Sequence, residues 1–566
     1  MSVSEEFRWE ETADGAVKIT AYTGEGGDVS VPPEIDGKSV TEIDEIAFSG
    51  CTSLKRVTLP DSVKRIGNCA FMDCISLESV NIPDGVTAIY DWTFRNCTSL
   101  RSITLPDSIE EIEAEAFSGC ARLEEIDLPD SLTVIESEAF INCGSLRSVT
   151  IPGGVEEIED SAFRGCSSLT DVTIQDGVET IEPLVFRDCT RLVSVKIPES
   201  VGVIGSGVFA GCTSLERIEL SGDNESFSVI DGVLYAGNGI WLIWYPTGKK
   251  DTEYTLPDSA KEIRDYAFCG CKALRKVNVP AGVHSIGYNS FDGCVSLERI
   301  DVSGENEYFS SEDGVLFRHY NGGVKVLHKY PAGRKEQEYI IPDDVTDIAG
   351  YAFSGCKALT SVIIPDSVTK IGGSVFSGCT GLKSVTIPDS VTEIGNYVFN
   401  KCFSLESVKF PGGIEVIGSY TFCECTSLTD VTIPDSVTEI WDSAFRHCIS
   451  LKSVTIPDSV EEIGEYAFNG CVSLENVKLP DGITEIEKGV FRRCSSLVSL
   501  TLPDSVTEIG ISAFRHCTSL ESLTLPDGIE KISKSAFERC PSLTITYKGK
   551  NYNCDDINKM FDRTSV

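Results

Sequence analysis

The stretch LKSVTIPDSVEEIGEYAFNGCVS at residues 451–473 is followed directly by a near copy, LENVKLPDGITEIEKGVFRRCSS, at residues 474–496. Both copies place apolar residues at the same offsets and a cysteine three residues after the phenylalanine. A unit of 23 residues is too short to bury its own apolar side, whereas stacked copies bury a continuous core. The stretch therefore predicts a solenoid.

The repeat extends over most of the chain, and one phenylalanine marks each copy. Within three blocks the markers are 23 residues apart, and intervals of 59 and 62 residues separate the blocks. The nineteen markers are Phe48, Phe71, Phe94, Phe117, Phe140, Phe163, Phe186, Phe209, Phe268, Phe291, Phe353, Phe376, Phe399, Phe422, Phe445, Phe468, Phe491, Phe514 and Phe537. We therefore expect about 19–20 turns of 23 residues.

Each copy predicts the same local elements. The Leu-x-x-Val-x-Leu pattern of residues 54–59 alternates in the manner of a short strand, which Pro60 ends. The following VKRI predicts a second short extended or turning piece, and the residues around Ala70 and Phe71 predict a short helix or helical turn. A right-handed parallel β-helix is the alternative fold, with strands on several sides and no helical element in each coil.

A cysteine follows every marker phenylalanine by three residues, which accounts for 19 of the 23 cysteines. Because each occupies the same place in its copy, stacked neighbours point the same way, which disfavours disulfide geometry. Metal binding needs several thiolates converging on one point, and the spacing does not predict this. We therefore expect a buried column of reduced thiols that pack as small hydrophobic groups.

The copy CTGLKSVTIPDSVTEIGNYVF at residues 379–399 resembles the BspA-like leucine-rich repeats, and the resemblance covers roughly residues 30–545. It implies an α/β fold, a right-handed leucine-rich-repeat solenoid with short parallel strands on one face and helical turns on the other. It also implies binding rather than catalysis, since members act as bacterial cell-surface or secreted adhesins and interaction scaffolds. Related cytosolic forms lack signal peptides. The resemblance names no ligand.

Two β-hairpin insertions and two caps are expected to interrupt and close the solenoid. The hairpins turn at residues 237–239 and 321–323, where Gly and Asn cluster. The expected division is an N-terminal β cap at 1–30, a first solenoid block at 31–220, insertion 1 at 221–256, two solenoid turns at 257–302, insertion 2 at 303–341, a last block at 342–545 and a C-terminal cap at 546–566.

The formal net charge is −39, from 48 Lys and Arg against 87 Asp and Glu. This charge disfavours nucleic acid and anionic membrane surfaces as partners and favours basic ones. No apolar run is long enough for a membrane span. The start MSVSEEFRWEETADG lacks the features of a signal peptide. A cell-surface or secreted location is expected if Met1 replaces a removed signal peptide, and a cytoplasmic one if Met1 is native.

No catalytic arrangement or cofactor motif is evident, so we predict no enzyme activity and no cofactor. The aspartates after proline, such as Asp61, form a row that could hold Ca²⁺, but each coil supplies too few oxygen ligands, which favours turn capping. The expected function is a non-catalytic protein-interaction scaffold, with adhesion to host or matrix proteins as its more specific form. The alternatives are a carbohydrate binder, a cytosolic scaffold and a polysaccharide-cleaving β-helix enzyme. Weak self-association is a further expectation.

The two insertions carry the predicted contact patch. Aligned from their shared Tyr-Pro ends, Trp244 matches Lys329 and Ile240 matches Lys325. Alternate strand residues face opposite sides, so the side with the two lysines is expected to be exposed and to expose Trp244 with it. The alternative is that Trp244 packs against the neighbouring hairpin or pairs two copies. The predicted partner-binding residues are Trp244, Ile240, Lys325, Lys329, Trp241 and Tyr320.

Overall fold

A computed structural model describes residues 6–561, without the side chains of residues 558 and 559. The chain forms two compact units. Unit 1 contains Met1–Asp251, Pro257–Ala273 and Ser285–Phe291, and unit 2 contains Thr252–Leu256, Leu274–His284 and Asp292–Val566. Residues 1–5 of the expected N-terminal cap and residues 562–566 of the expected C-terminal cap lie outside the described residues.

The first strand of each coil, here called the face strand, has outward and buried residues in alternation. In Ser148–Ile151 the first and third residues are exposed and the second and fourth are buried. In unit 1 the face strands are β3 (Gly27–Ser30), β6 (Leu54–Thr58), β8 (Ser79–Val80), β10 (Ser102–Thr104), β12 (Glu125–Asp127), β14 (Ser148–Ile151), β16 (Asp171–Ile174), β18 (Ser194–Ile197) and β20 (Arg217–Leu220). In unit 2 they are β24 (Glu253–Thr255), β26 (Lys276–Val279), β28 (Arg299–Val302), β32 (Glu338–Ile340), β34 (Ser361–Ile363), β36 (Ser384–Thr386), β38 (Ser407–Lys409), β41 (Ser453–Thr455), β43 (Asn476–Lys478), β45 (Ser499–Thr501), β47 (Ser522–Thr524) and β49 (Thr544–Tyr547).

A shorter second strand follows the Pro-Asp turn and ends in the buried Ile of the repeat. In unit 1 these second strands are β5 (Lys38–Ile43), β7 (Arg65–Ile66), β9 (Ala88–Ile89), β11 (Glu111–Ile112), β13 (Val134–Ile135), β15 (Glu157–Ile158), β17 (Thr180–Ile181), β19 (Val203–Ile204), β25 (Glu262–Ile263) and β27 (Ser285–Ile286). In unit 2 they are β33 (Asp347–Ile348), β35 (Lys370–Ile371), β37 (Glu393–Ile394), β39 (Val416–Ile417), β40 (Glu439–Ile440), β42 (Glu462–Ile463), β44 (Glu485–Ile486), β46 (Glu508–Ile509) and β48 (Lys531–Ile532).

The remaining elements belong to the chain ends and the insertions. They are β1 (Phe7–Glu11), β2 (Val17–Tyr22), β4 (Glu34–Ile35), β21 (Phe227–Ile230), β22 (Val233–Ala236), β23 (Trp241–Trp244), β29 (Phe309–Glu312), β30 (Val315–Tyr320), β31 (Val324–Lys329), β50 (Lys550–Tyr552) and the helix α1 (Cys554–Phe561). Within the described residues, α1 is the only α-helix.

Both sets of strands pair in parallel at the repeat register. Val149 of β14 lies opposite Val172 of β16, and Ile112 of β11 lies opposite Ile135 of β13. Within the regular blocks such pairs are 23 residues apart, so identical repeat positions stack on each other. Each unit is therefore a right-handed solenoid of 23-residue coils with parallel strands on two sides of the coil.

The third side of the coil is a run of β-turns, and the expected helical turns are not confirmed. Around Phe71, both Cys69 and Asp73 have positive φ, at 56° and 60°, and the same two offsets are left-handed in most coils. An α-helix needs consecutive right-handed residues. Here the Phe71 N–H donates to the Thr93 carbonyl of the next coil at 2.9 Å, so the turns are linked between coils.

The marker phenylalanines form the centre of the core. Their rings are buried and stack on the rings of the adjacent coils, with Phe445 and Phe468 at 5.2 Å between centroids and 1° between planes. Tyr245 and Tyr330 continue the two columns, since each lies 23 residues before a marker and packs on Phe268 or Phe353 at 5.4 and 5.3 Å. Each insertion therefore ends in a modified coil.

The cysteine column is confirmed as packing. All 23 cysteines are free, and the column residues from Cys74 onward are buried. Most column thiols donate to the carbonyl of a marker phenylalanine 26 residues earlier, as Cys74 does to Phe48 at 3.0 Å. Cys271 and Cys356 donate in the same way to Tyr245 and Tyr330. Burial raises the pKa of the Cys143 thiol to about 12. Burial therefore keeps the Cys143 thiol protonated and unreactive in the folded protein.

Serine closes the Pro-Asp-Ser turn. The Ser459 hydroxyl donates to the Val437 carbonyl of the preceding coil at 2.7 Å, and the same bond recurs along both units, for example from Ser62 to Val40 at 2.7 Å. In insertion 1, the Asn224 amide replaces this serine and donates to the Val201 carbonyl at 2.9 Å. The turn that was expected to be capped by aspartate is thus held mainly by the neighbouring hydroxyl.

The described chain ends are covered by β structure. Strand β1 pairs antiparallel with β2, and Phe7 packs edge-on against Phe48 at 6.4 Å. At the other end β49 and β50 form a hairpin, with Tyr547 opposite Lys550, and α1 follows.

Candidate interaction site

The face strands of unit 1 present a flat polar surface. Strands β14, β16, β18 and β20 are hydrogen-bonded neighbours, so their outward residues line up in columns. Ser148 lies opposite Asp171, and Ser194 lies opposite Arg217. Charges alternate along the same side, and the Arg147 guanidinium contacts the Glu124 carboxylate at 2.8 Å. Such a surface offers many hydrogen-bonding groups.

The face strands of unit 2 contain an apolar pair that sequence reasoning missed. Ile340 and Ile363 lie opposite each other in the parallel register and are 63% and 47% exposed. The next residues of this column are Thr386 and Lys409. A shallow groove beside the pair is lined by Ile363, Ser384 and other outward residues of β34, β36 and β38. The sequence did contain a sign of this apolar pair: isoleucine stands at an outward position where other copies carry threonine.

The expected exposure of Trp244, Lys325 and Lys329 is wrong. Trp244 is 2% exposed, Lys325 6% and Lys329 1%. Trp244 is two residues from the buried Leu242, so both side chains lie on the inner side of β23. Lysine in a strand favours the exposed side, but here the aliphatic stems of both lysines are buried and their ammonium groups find partners.

The buried lysines are satisfied within unit 2. The Lys325 ammonium contacts the carboxylates of Glu312 at 2.5 Å and Asp344 at 3.0 Å. Burial lowers the pKa of Lys325, and the two carboxylates outweigh it, so the net shift is upward. The Lys329 ammonium donates to the Tyr351 carbonyl at 2.7 Å. These lysines hold insertion 2 against its own unit.

Three residues of the predicted patch are exposed. Ile240 and Trp241 lie in unit 1, at 36% and 38% exposure, and Tyr320 lies in unit 2 at 41%. The Arg264 guanidinium lies 5.8 Å from the Trp241 ring centroid, and that of Arg318 lies 4.6 Å from the Tyr320 ring. Each insertion therefore exposes an aromatic ring beside an arginine.

A column of glutamates follows the second strands of unit 1. Backbone N–H groups of the preceding coil donate to Glu113 and Glu136, from Asp91 at 3.1 Å and Ala114 at 3.0 Å. Burial, followed by the charge of neighbouring carboxylates, raises the pKa of Glu136. Among residues 6–561, no group of three or more His, Cys, Asp or Glu side chains could hold a metal ion.

No helix within the described part of the chain is long and apolar enough to span a membrane. The repeat geometry, the buried column of rings and the open polar faces define a solenoid-type repeat protein.

The family follows from the repeat itself. The model described as "BspA type Leucine rich repeat region (6 copies)" matches residues 34–147, 133–231, 247–313, 333–452 and 438–561. The chain therefore belongs to the BspA-type leucine-rich repeat family. No curated protein matches the chain.

Several solved structures are similar to this chain. A leucine-rich repeat protein from Eubacterium ventriosum is 22% identical, with 66% of this chain and 83% of that chain covered and a TM-score of 0.40. The T. pallidum Leucine Rich Repeat protein is 36% identical over 38% of this chain and 89% of its own, with a TM-score of 0.32. A leucine-rich repeat protein from Bacteroides ovatus is 25% identical over 96% and 98%, with a TM-score of 0.29.

Proposed function

We propose that this protein is a non-catalytic interaction scaffold whose face strands bind an extended segment of a partner protein. The observation that carries the proposal is the in-register polar surface of β14, β16, β18 and β20. Outward residues repeat at the strand spacing of about 4.8 Å, so each coil adds hydrogen-bonding groups along the length of the surface. The net charge of −39 favours a partner with a basic binding segment.

Adhesion to a host or matrix protein is the specific form of this function that we propose. The exposed residues Ile240, Trp241 and Tyr320 of the insertions supply apolar contact area in addition to the polar faces. Aromatic residues of this kind contribute most of the energy in many protein interfaces. The insertions, with the proposed bounds 221–256 and 303–341, then act as binding appendages of the solenoid.

A carbohydrate ligand is the second candidate, and an aromatic surface in unit 2 favours it. The rings of Tyr397 and Tyr420 stack at 4.8 Å and 3°. Trp441 is exposed on the next coil. It lies near Tyr420, since the Tyr420 N–H donates at 3.0 Å to the carbonyl of Asp442, the residue that follows Trp441. Exposed flat rings of this kind can stack on apolar faces of sugar rings.

One binding experiment separates the two. The full chain is titrated against a panel of purified extracellular-matrix proteins and against a glycan array, together with the variants Ser148→Lys/Ser194→Lys and Trp441→Ala. The scaffold function predicts saturable binding to a protein that weakens with added salt and with the double lysine variant, but not with Trp441→Ala. Binding to glycans alone, abolished by Trp441→Ala, would instead establish the carbohydrate function.

A further inference from the structure

A cavity of about 240 Å³ opens in unit 1 where insertion 1 leaves the regular stack. Its walls come from the coil that contains β19, from insertion 1 and from the start of the next coil. The lining includes Val203, Phe209, Phe227, Trp241, Ile243 and Trp244. Val203 is 53% exposed and Trp241 is 38% exposed, so the cavity is apolar and open to solvent.

The strand that borders this cavity has a free edge. Strand β19 is the last strand of its sheet and pairs only with β17. One coil earlier, the carbonyls of Glu179 and Ile181 accept backbone N–H groups from Gly202 and Gly205, both at 2.8 Å. Among the described residues, no backbone N–H donates to the equivalent carbonyls of Gly202 and Ile204. Two acceptors that are satisfied elsewhere in the solenoid are therefore open here.

The cavity wall also holds a buried donor without a partner. Trp244 is 2% exposed, and its Nε1 has no hydrogen-bond partner among the described residues. A buried N–H that makes no hydrogen bond costs free energy. A ligand that brings an acceptor to this position would recover part of that cost.

The charged lining of the cavity is one acid and one base. Asp265 and Arg264 both line it, and the Arg264 guanidinium is engaged by the Glu262 carboxylate at 3.3 Å. The chain as a whole has a formal net charge of −39, which favours a basic segment over an acidic one as the occupant.

We propose that this cavity anchors an extended, basic peptide segment of the partner protein. Peptide N–H groups of the segment donate to the carbonyls of Gly202 and Ile204, as the next coil would in the regular stack. One aliphatic side chain fills the space between Val203, Trp241 and Trp244. Flanking lysines complement the net negative charge of the chain. The site rests on the proposed scaffold function, for which it supplies a defined anchor.

The test uses the full chain and a short probe, acetyl-Lys-Val-Leu-Val-Lys-amide, in isothermal titration calorimetry. Three probe forms are compared: the parent peptide, a form with alternate backbone amides N-methylated and a form with glutamate for lysine. The protein variants are Val203→Asp and Trp241→Ala. Their matched controls are Val193→Asp and Trp441→Ala, which alter a valine and a tryptophan of similar exposure on regular coils.

The parent peptide is expected to bind saturably, and both modified peptides to bind at least about tenfold more weakly. Val203→Asp and Trp241→Ala are expected to weaken binding by at least about tenfold, while both controls bind as wild type with unchanged melting temperatures. Absence of saturable binding, equal binding by the N-methylated peptide, or equal binding by all variants would overturn the site. A matrix protein bound through the face strands without peptide binding would refute this anchor and leave the scaffold function standing. Peptide binding without binding of any matrix protein would refute the scaffold function and leave this anchor standing.

Discussion

Removing one ring from the phenylalanine column by Phe445→Ala tests how the solenoid core is held together. Phe445 is fully buried and stacks on Phe422 and Phe468, both at 5.2 Å. Phenylalanine-to-alanine changes in cores cost about 3–5 kcal/mol, and the cost depends on how far the site can collapse. Here the core resists collapse, because backbone hydrogen bonds between coils fix the coil spacing. The Phe422 N–H donates to the Ala444 carbonyl at 2.7 Å, and the Phe445 N–H donates to the Ala467 carbonyl at 2.8 Å.

We therefore expect a loss in the upper part of that range, about 4–5 kcal/mol, including two aromatic pairs of about 0.5–1.5 kcal/mol each. The assay is urea unfolding, with hydrogen exchange to locate the weakened coils. Because each coil contacts only its neighbours, the loss of protection should centre on the coils of Phe422, Phe445 and Phe468. Ile449→Ala is the control, since Ile449 is 41% exposed and its loss should change stability by less than about 0.5 kcal/mol. A loss for Phe445→Ala no larger than for this control would refute the column as the source of stability.

Three further predictions follow from the coil. Few thiols should react with a thiol reagent in the native protein, and all 23 should react after denaturation; rapid native labelling of the column would contradict its burial. Glu136→Gln should stabilise the protein at neutral pH by up to about 1 kcal/mol. The folded-state pKa of Glu136 is raised, so its favourable contribution is present below the ordinary glutamate value of 4.5 and is lost as pH rises, and the difference between the variants in thermal melts should disappear at low pH. Ser459→Ala should cost about 1 kcal/mol in urea unfolding, because it leaves the Val437 carbonyl without its hydroxyl donor at 2.7 Å; an unchanged midpoint would mean that water replaces the hydroxyl.

The repeat period predicted the stacked coils, the parallel register and the buried rings, because these depend only on identical residues recurring every 23 positions. The turn side was predicted less well. Glycine, asparagine or aspartate stands two residues after the marker in many coils, as Asp73 and Asn96 do, and these residues tolerate positive φ. That preference was a usable sign of turns rather than a helix. Tyr245 and Tyr330 could likewise have been placed from their spacing to the next phenylalanine.

The candidate site depended on contacts that spacing does not encode. Strand alternation predicted that Trp244 shares an exposed side with Ile240, but Trp244 is 2% exposed and Ile240 is 36% exposed. The burial of Lys325 depends on the carboxylates of Glu312 and Asp344, and that of Lys329 on the Tyr351 carbonyl. To predict the open edge of β19, one would also need to know the path of insertion 1, which no local sequence pattern specifies.

Hydrogen exchange on the complex with a matrix protein captured by the full chain tests the central functional claim most directly. If the face strands bind an extended segment, backbone protection should increase along the face strands of several consecutive coils, such as β14, β16, β18 and β20. The turn side of the same coils, around Phe140, Phe163 and Phe186, should exchange as in the free protein. Protection confined to the turn side, with the face strands unchanged, would contradict the account.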